Sequence, residues 1–177
     1  MAWNTSGYKD FAARIDGIEN PLSVEIPLDP AVNGGANILC VYTGTVMLGK
    51  FFKGGVEVSP STGNWIRGTA LITIPTAPRR WTFIPLPPET IPGETPFTYL
   101  FGGTVVVSLA SIFNKNVANN AGWAVDGADL YAAGHKDEGL RIETKLALRD
   151  SDGFLYRISY QATALGKAPQ RPVVVKG

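Results

Sequence analysis

The last third of the chain alternates apolar and polar residues so regularly that it constrains the fold more than any other feature. Over Leu140–Arg149 almost every second residue is apolar, and most of the residues between them are charged. This is the two-residue period of a half-buried β-strand. The alternation returns over Phe154–Leu165, after the turn sequence Asp150-Ser151-Asp152-Gly153. We therefore predict a β-hairpin closed by a type I turn with a glycine bulge.

The turn type also sets the register of this predicted hairpin. Leu148 should lie opposite Tyr156 and Lys145 opposite Ser159, because a slip by one residue would mix the two faces. One face is polar and carries Arg141, Glu143, Lys145, Arg157, Ser159 and Gln161. The other face is apolar and aromatic and carries Leu146, Leu148, Tyr156, Ile158 and Tyr160. The pattern leaves open which face points into the protein.

Strand signals recur along the rest of the chain, with turn residues between them. The predicted strands are Leu22–Ile26, Ile38–Leu48, Trp65–Ile74, Trp81–Ile84, Phe97–Phe113 and Gly122–Ala133. The best helical candidate is the short segment from Tyr8 to Ile15. Strands joined by short turns are antiparallel, and closure into a barrel leaves no exposed edge. We therefore predict an all-β fold, a single antiparallel β-barrel of about eight or nine strands spanning residues 1–177.

Residues 75–96 contain most of the thirteen prolines of the chain. Proline lacks the backbone N–H that a central strand needs, so this segment can hold only a short edge strand. We interpret it as a proline-rich excursion over one end of the barrel. A hinge between two domains is the alternative.

Composition excludes several classes of function. Sixteen basic and fifteen acidic residues leave a net charge of +1, without the basic surplus that binding to a phosphate backbone needs, so nucleic acid is not an expected partner. The single cysteine, Cys40, cannot form an internal disulfide or a cysteine-based metal cluster. Neither a signal peptide nor an apolar run of about 20 residues is evident. We expect a soluble, cytoplasmic protein without a membrane partner.

Short motifs in the second half of the chain resemble a known family. They are Gly102-Gly103-Thr104, Gly127-Ala128-Asp129-Leu130-Tyr131 and the segment Asp150–Tyr156. The pattern is similar to that of a small β-barrel domain family with a Gly-Gly-Thr strand start, a Gly-Ala-Asp-Trp element and an Asp-Asp-Gly hairpin. Leu130 stands where that family usually has tryptophan.

Fungal members of that family include cyclases of aromatic polyketide pathways, which close an oxygen heterocycle by intramolecular conjugate addition. The resemblance implies a lipocalin-like barrel with a central ligand cavity. It also implies a cyclase or isomerase without a cofactor, acting on a small aromatic or polyketide-like intermediate of secondary metabolism.

Charged residues supply the candidate catalytic groups. Asp126 and Asp129 are candidate acid–base carboxylates, although residues three apart in a strand face opposite sides unless Gly127 forms a bulge. The resemblance favours Asp129 as the base. A cation from the polar face would stabilise the enolate if that face lined the interior, and the candidates are Arg141, Lys145 and Arg157. The simpler interpretation is a solvated outer face with weak ion pairs.

Aromatic and loop residues supply the candidate substrate contacts, which are Trp65, Arg67, Trp123, Tyr131, Tyr156, Tyr160 and His135. His135 is the only histidine, so a typical histidine-rich metal site cannot form, and we predict neither a metal nor a cofactor.

The expected partner is a small-molecule substrate, and homo-oligomerisation is left open. Two other functions fit the same sequence. One is a non-catalytic carrier of a hydrophobic ligand, and the other is a structural or assembly subunit of a shell or sandwich.

Overall fold

In the computed structural model, residues 7–29, 37–59, 63–77, 79–83, 97–112, 121–133, 139–150 and 156–167 are described. The elements found in these ranges are all β-strands. Nine strands are present there: β1 Phe11–Pro27, β2 Ile38–Lys53, β3 Val56–Val58, β4 Ile66–Ile74, β5 Arg80–Thr82, β6 Phe97–Ile112, β7 Gly122–Ala132, β8 Leu140–Arg149 and β9 Tyr156–Lys167. The expectation of an all-β fold is confirmed.

One mixed sheet contains all nine strands. Its order is β5-β6-β9-β2-β1-β4-β8-β7, and β3 pairs with β2. The sheet curls until β6 and β7 lie side by side. It therefore nearly closes into a barrel of eight strands. The expectation of an antiparallel-only sheet is wrong, because β1 pairs with β4 in parallel and β5 pairs with β6 in parallel.

The predicted hairpin between β8 and β9 is also wrong. β8 pairs with β4 and β7, whereas β9 pairs with β2 and β6. Lys145 therefore lies opposite Thr69 and Gly127, and Ser159 lies opposite Thr45 and Ser108. The chain leaves β8 at Asp150, whose φ of 46° is in the left-handed region. Residues 151–155, which hold the predicted glycine bulge, lie outside the described residues.

The physical reason is that β8 and β9 each have one apolar face, which can be buried in two ways. Placed side by side, the two strands would share one wall of the barrel. Placed on opposite walls, their apolar faces meet across the interior. Alternation along a strand specifies which residues share a face but not which strand is the neighbour. The two faces are therefore as predicted, whereas the predicted register is wrong.

The helical candidate at Tyr8–Ile15 is wrong as well. From Phe11 onward this segment is part of β1, and Phe11–Ala13 pair with Gly68–Ala70 of β4. The ring of Phe11 packs edge-on against Phe51 of β2, with ring centroids 4.9 Å apart. Burial of Phe11 against two other strands outweighs the weak helical propensity of a short segment.

The edge strand predicted at Trp81–Ile84 is present as β5, Arg80–Thr82. Most of the proline-rich excursion, residues 84–96, lies outside the described residues, so its path over the barrel stays a prediction. Within the described ranges, no helix is long and apolar enough to span a membrane.

The core lies inside the curled sheet. Each of the long strands β2, β4, β8 and β9 sends alternate side chains inward, and most of these are apolar and fully buried. They include Cys40, Tyr42, Val46, Leu48, Ile72, Ile74, Leu140, Ile142, Leu146, Leu148, Ile158 and Ala162. Burying a side chain of this size contributes about 1.5–3 kcal/mol, which makes this interior the main source of stability.

Two glycines allow strands to pack closely around this core. A Cβ on Gly103 of β6 would lie 2.8 Å from Cδ2 of Leu130, so the side chain of Leu130 on β7 reaches across to β6 where the barrel nearly closes. A Cβ on Gly44 of β2 would lie 2.7 Å from the hydroxyl oxygen of Tyr160. The Tyr160 ring on β9 therefore lies over Gly44, its register partner.

Disulfide trapping tests the observed strand pairing against the predicted hairpin. In a Thr69→Cys/Lys145→Cys double variant, the new thiols face each other on register partners and should form a disulfide, because the Cα atoms of such partners are about 4.5–5.5 Å apart. A Lys145→Cys/Ser159→Cys variant, which the hairpin would cross-link, should stay reduced under the same mild oxidation. Mass spectrometry of the intact protein distinguishes the two. Cross-linking of only the second pair would contradict the observed sheet order.

Candidate functional site

The apolar faces of β8 and β9 point inward, and the polar faces point outward. Leu140, Ile142, Leu146 and Leu148 are fully buried, whereas Arg141, Glu143 and Lys145 between them are only half-buried. Along β9, Ile158, Tyr160 and Ala162 are buried while Gln161 is exposed. The candidate cations Arg141, Lys145 and Arg157 therefore lie on the outside of the barrel, away from the apolar core.

A bulge in β7 brings both candidate carboxylates to this outer side. The register with β8 shifts between Val125 and Gly127, so Asp126 is the extra residue and the alternation restarts beyond it. The bulge at Gly127, which both carboxylates need in order to lie on one side of the strand, is therefore present. Asp126 accepts a hydrogen bond from the Tyr8 hydroxyl at 3.0 Å and lies 3.9 Å from the Arg67 guanidinium. The bond to Asp126 raises the pKa of Tyr8.

Asp129, the candidate base, pairs with Lys145, with 3.2 Å between Oδ2 and Nζ. Arg157 pairs in the same way with Glu19 of β1 at 3.3 Å. Both pairs are on the outer surface and are partly exposed, where such interactions contribute at most about 1 kcal/mol. The paired Lys145 competes with any substrate for the Asp129 carboxylate.

The candidate substrate contacts are spread over both sides of the barrel wall. Trp65 is 40% exposed just before β4, with Arg149 5.2 Å above its ring. Arg67 lies on the outer face of β4. Trp123 is half-buried against the core, opposite Leu148. Tyr131 is half-buried on the outer face of β7, and burial raises its pKa.

Two of the predicted contacts cannot be placed. His135 and the side chain of Tyr156 lie outside the described residues. The structure thus gathers Arg67, Asp126, Asp129 and Lys145 on one outer surface and puts Trp123 and Tyr160 on the inner side. It does not bring the five substrate-contact residues with described side chains together in one site.

Two buried hydroxyl groups are the most informative polar groups of the inner wall. Tyr160 Oη is buried in a residue that is 3% exposed, and Thr144 Oγ1 is buried in a residue with no exposed surface. Among the described residues neither oxygen has a hydrogen-bond partner. Such a group costs about 1–3 kcal/mol of stability, so each unpaired oxygen needs a physical explanation.

Small side chains surround these hydroxyls. Thr144 of β8 has Ala70 of β4 and Ala128 of β7 as its register partners, and Tyr160 lies over Gly44. In the sheet order β8 and β9 are separated by three strands on one side and by β7 and β6 on the other. The two hydroxyls therefore approach the interior from opposite walls. We call Thr144, Tyr160, Ala70, Ala128 and Gly44 the inner-wall site.

Burial keeps the Tyr160 phenol protonated. Removal from water raises its pKa above the ordinary value, because the charged phenolate is disfavoured in an apolar interior. At neutral pH the group is a hydrogen-bond donor and a poor base. Threonine can both donate and accept. The inner-wall site thus presents uncharged hydrogen-bonding groups to the barrel interior.

A second set of polar side chains lies at one end of the barrel. The indole N–H of Trp81 donates to Tyr42 Oη at 3.1 Å, and desolvation raises the pKa of Tyr42. Arg79 binds Glu25 through two contacts of 2.7 Å and donates to Thr98 Oγ1 at 2.8 Å. The guanidinium lowers the pKa of Glu25. In contrast to the inner-wall site, these partners satisfy one another.

Sequence reasoning missed most of these polar residues. Thr144, Tyr42 and Cys40 occupy inward positions of apolar strands, so the alternation alone identifies them only as core. The usable signal was Thr144 itself, a polar residue at an inward position of an otherwise apolar face. Among the described residues, no group of three His, Cys, Asp or Glu side chains is placed to hold a metal ion.

Comparison with models of known protein families, with curated proteins and with solved structures finds no match to this chain. The geometry of the barrel itself is consequently the basis for proposing a function.

Removing the Tyr160 hydroxyl should stabilise the ligand-free protein. Tyr160→Phe eliminates a buried oxygen that has no hydrogen-bond partner among the described residues, so the free energy of unfolding should rise by about 1 kcal/mol in urea denaturation. Tyr42→Phe is the matched control, since that hydroxyl accepts a hydrogen bond from Trp81; it should lower the free energy of unfolding by about 1 kcal/mol. Equal destabilisation by both variants would show that Tyr160 is paired in solution.

Proposed function

We propose that this protein binds a small, largely apolar molecule inside the barrel, at the inner-wall site. The observation that carries the proposal is the pair of buried hydroxyls, Tyr160 and Thr144, without partners among the described residues. Buried polar groups in proteins are nearly always hydrogen-bonded. A ligand oxygen that meets these hydroxyls offsets the cost of leaving them unpaired and gains directional bonds in an apolar environment.

The chemistry of the site defines the class of ligand. Its surroundings are apolar and uncharged, so a charged ligand would lose its hydration without gaining a counter-ion. A planar phenol, quinone or cyclic ketone has the required apolar surface and one or two oxygens. Ligand sites of this kind are mostly apolar, with a few well-placed polar groups that fix the orientation.

The placement of the charged residues favours a carrier over an enzyme. Conjugate addition needs a base close to the attacking hydroxyl and a donor close to the developing enolate oxygen. Tyr160, protonated and buried, fits the second role. Asp129, the candidate base, faces outward and is paired with Lys145, so it lies on the other side of the barrel wall from the inner-wall site.

A cofactor-independent cyclase or isomerase is the second candidate function. It is supported by the resemblance of the motifs after Gly102 to the barrel family with fungal cyclases, and by a buried phenol that can donate to an enolate. In this alternative, a hydroxyl of the substrate adds to its own conjugated double bond, its proton moves to the α-carbon, and the atoms balance without a cofactor. A cytoplasmic role in natural-product biosynthesis remains part of this alternative.

Binding of 1-naphthol tests the proposal, with native mass spectrometry and tryptophan fluorescence as readouts. The wild-type protein should bind one molecule. Tyr160→Phe and Thr144→Val should each weaken binding about 5-fold to 10-fold, as expected for the loss of one hydrogen bond. Tyr131→Phe removes a hydroxyl from the outer face and should leave the affinity unchanged.

Two results would contradict this proposal. One is failure of 1-naphthol and of a panel of planar phenols and cyclic ketones to bind. The other is equal weakening by Tyr131→Phe. Carrier and cyclase are then separated with 2′-hydroxychalcone, which closes to flavanone by conjugate addition. A carrier binds it without acceleration, whereas a cyclase yields an excess of one enantiomer.

A further inference from the structure

The second half of β1 has an unusual environment for a strand in a nearly closed barrel. Every residue from 20 to 27 is exposed, including three large apolar side chains. Leu22 is 69% exposed, Val24 57% and Ile26 43%. The three lie two residues apart and so point to the same side of the strand. An exposed apolar row of this kind on a sheet marks an interaction surface.

The strand edge beside this row is open in the described part of the chain. On one side, β1 pairs with β2 as far as Pro27. On the other side it pairs with β4 only over Phe11–Ala13, after which the two parallel strands separate. An unpaired edge presents backbone N–H and C=O groups that can pair with another strand. No lysine lies within residues 22–26, and Glu25, the one charged residue there, faces away from the apolar row and is held by Arg79.

The segment is complementary to itself. If two copies pair antiparallel about Val24, then Leu22 faces Ile26 of the other copy and Val24 faces its own equivalent. In the same register Pro21 meets Pro27, and the prolines, which lack an N–H, limit the pairing to the five residues between them. The single charge in the segment, Glu25, falls opposite Ser23, so like charges do not meet.

The neighbouring outer surface is also uncharged. The register partners of Leu22, Val24 and Ile26 on β2 are Thr43, Val41 and Leu39. The next positions, on β9, are Gln161, Thr163 and Leu165. By contrast, the outer faces of β4, β8 and β7 carry Arg67, Lys145 and Asp129. Charge is therefore absent from the outer positions directly beside Leu22, Val24 and Ile26, and the ion pair of Glu19 with Arg157 lies just before this row.

We infer that two copies of this chain associate through β1, with Leu22–Ile26 pairing antiparallel across a two-fold axis at Val24. The sheet of one protomer continues into that of its partner. Five residues bury less than the about 800 Å² per partner of a standard interface, so the dimer forms in the micromolar concentration range. This interface is separate from the inner-wall site and does not depend on ligand binding.

Sedimentation velocity from about 1 µM to about 500 µM tests the dimer. The wild-type protein should shift from monomer to dimer over this range. Val24→Lys places two ammonium groups face to face on the axis and should raise the dissociation constant at least about 100-fold. Leu71→Lys, at an exposed apolar position of β4, is the matched control and should dimerise like the wild type.

Cysteine trapping tests the register independently. Val24→Cys brings two thiols together on the axis, within the Cα separation that a disulfide allows, and should yield a covalent dimer on mild oxidation. Ser23→Cys should not, since Ser23 falls opposite Glu25. A wild-type protein that stays monomeric at every concentration would overturn the inference. So would undiminished dimerisation of Val24→Lys, or equal cross-linking by both cysteine variants.

Discussion

The packing of apolar side chains across the barrel interior is the interaction on which the rest of this structure depends. β8 and β9 lie on opposite walls because their buried faces, from Leu140 to Leu148 and from Ile158 to Ala164, meet through the core. Gly44 and Gly103, which have no Cβ, leave room for the Tyr160 ring and the Leu130 side chain. Because the apolar residues of these strands point into the interior, the charged residues that alternate with them lie outside.

This division determines what each polar residue can do. The bulge in β7 brings Asp126 and Asp129 to the outer surface. Arg67 of β4 and Lys145 of β8 lie on the same surface, where solvent screens the interactions of all four. The hydroxyls of Tyr160 and Thr144 remain inside, where a hydrogen bond is strong and an unpaired group is costly. The few uncharged polar atoms of the interior, rather than the many charges outside, are therefore the basis of the proposed ligand site.

Sequence alone predicted the all-β class, most of the strands and the two faces of β8 and β9, because side-chain alternation is a local property of each strand. It could not predict that Leu148 faces Trp123 rather than Tyr156, since strand order depends on contacts between distant segments. Tyr8 illustrates the same limit: the segment after it looked helical, yet Phe11 is buried between β2 and β4. From the sequence, the bulge at Asp126 was only one of two possibilities, because the glycine after it permits a bulge without requiring one.

Solution NMR distinguishes the observed placement of β8 and β9, on opposite walls of the nearly closed barrel, from pairing of the two strands. We expect backbone nuclear Overhauser effects from Lys145 to both Thr69 and Gly127, and from Ser159 to both Thr45 and Ser108. Together these contacts occupy both edges of each strand. Backbone contacts between Lys145 and Ser159 would show that β8 and β9 are neighbours and would contradict the observed sheet order.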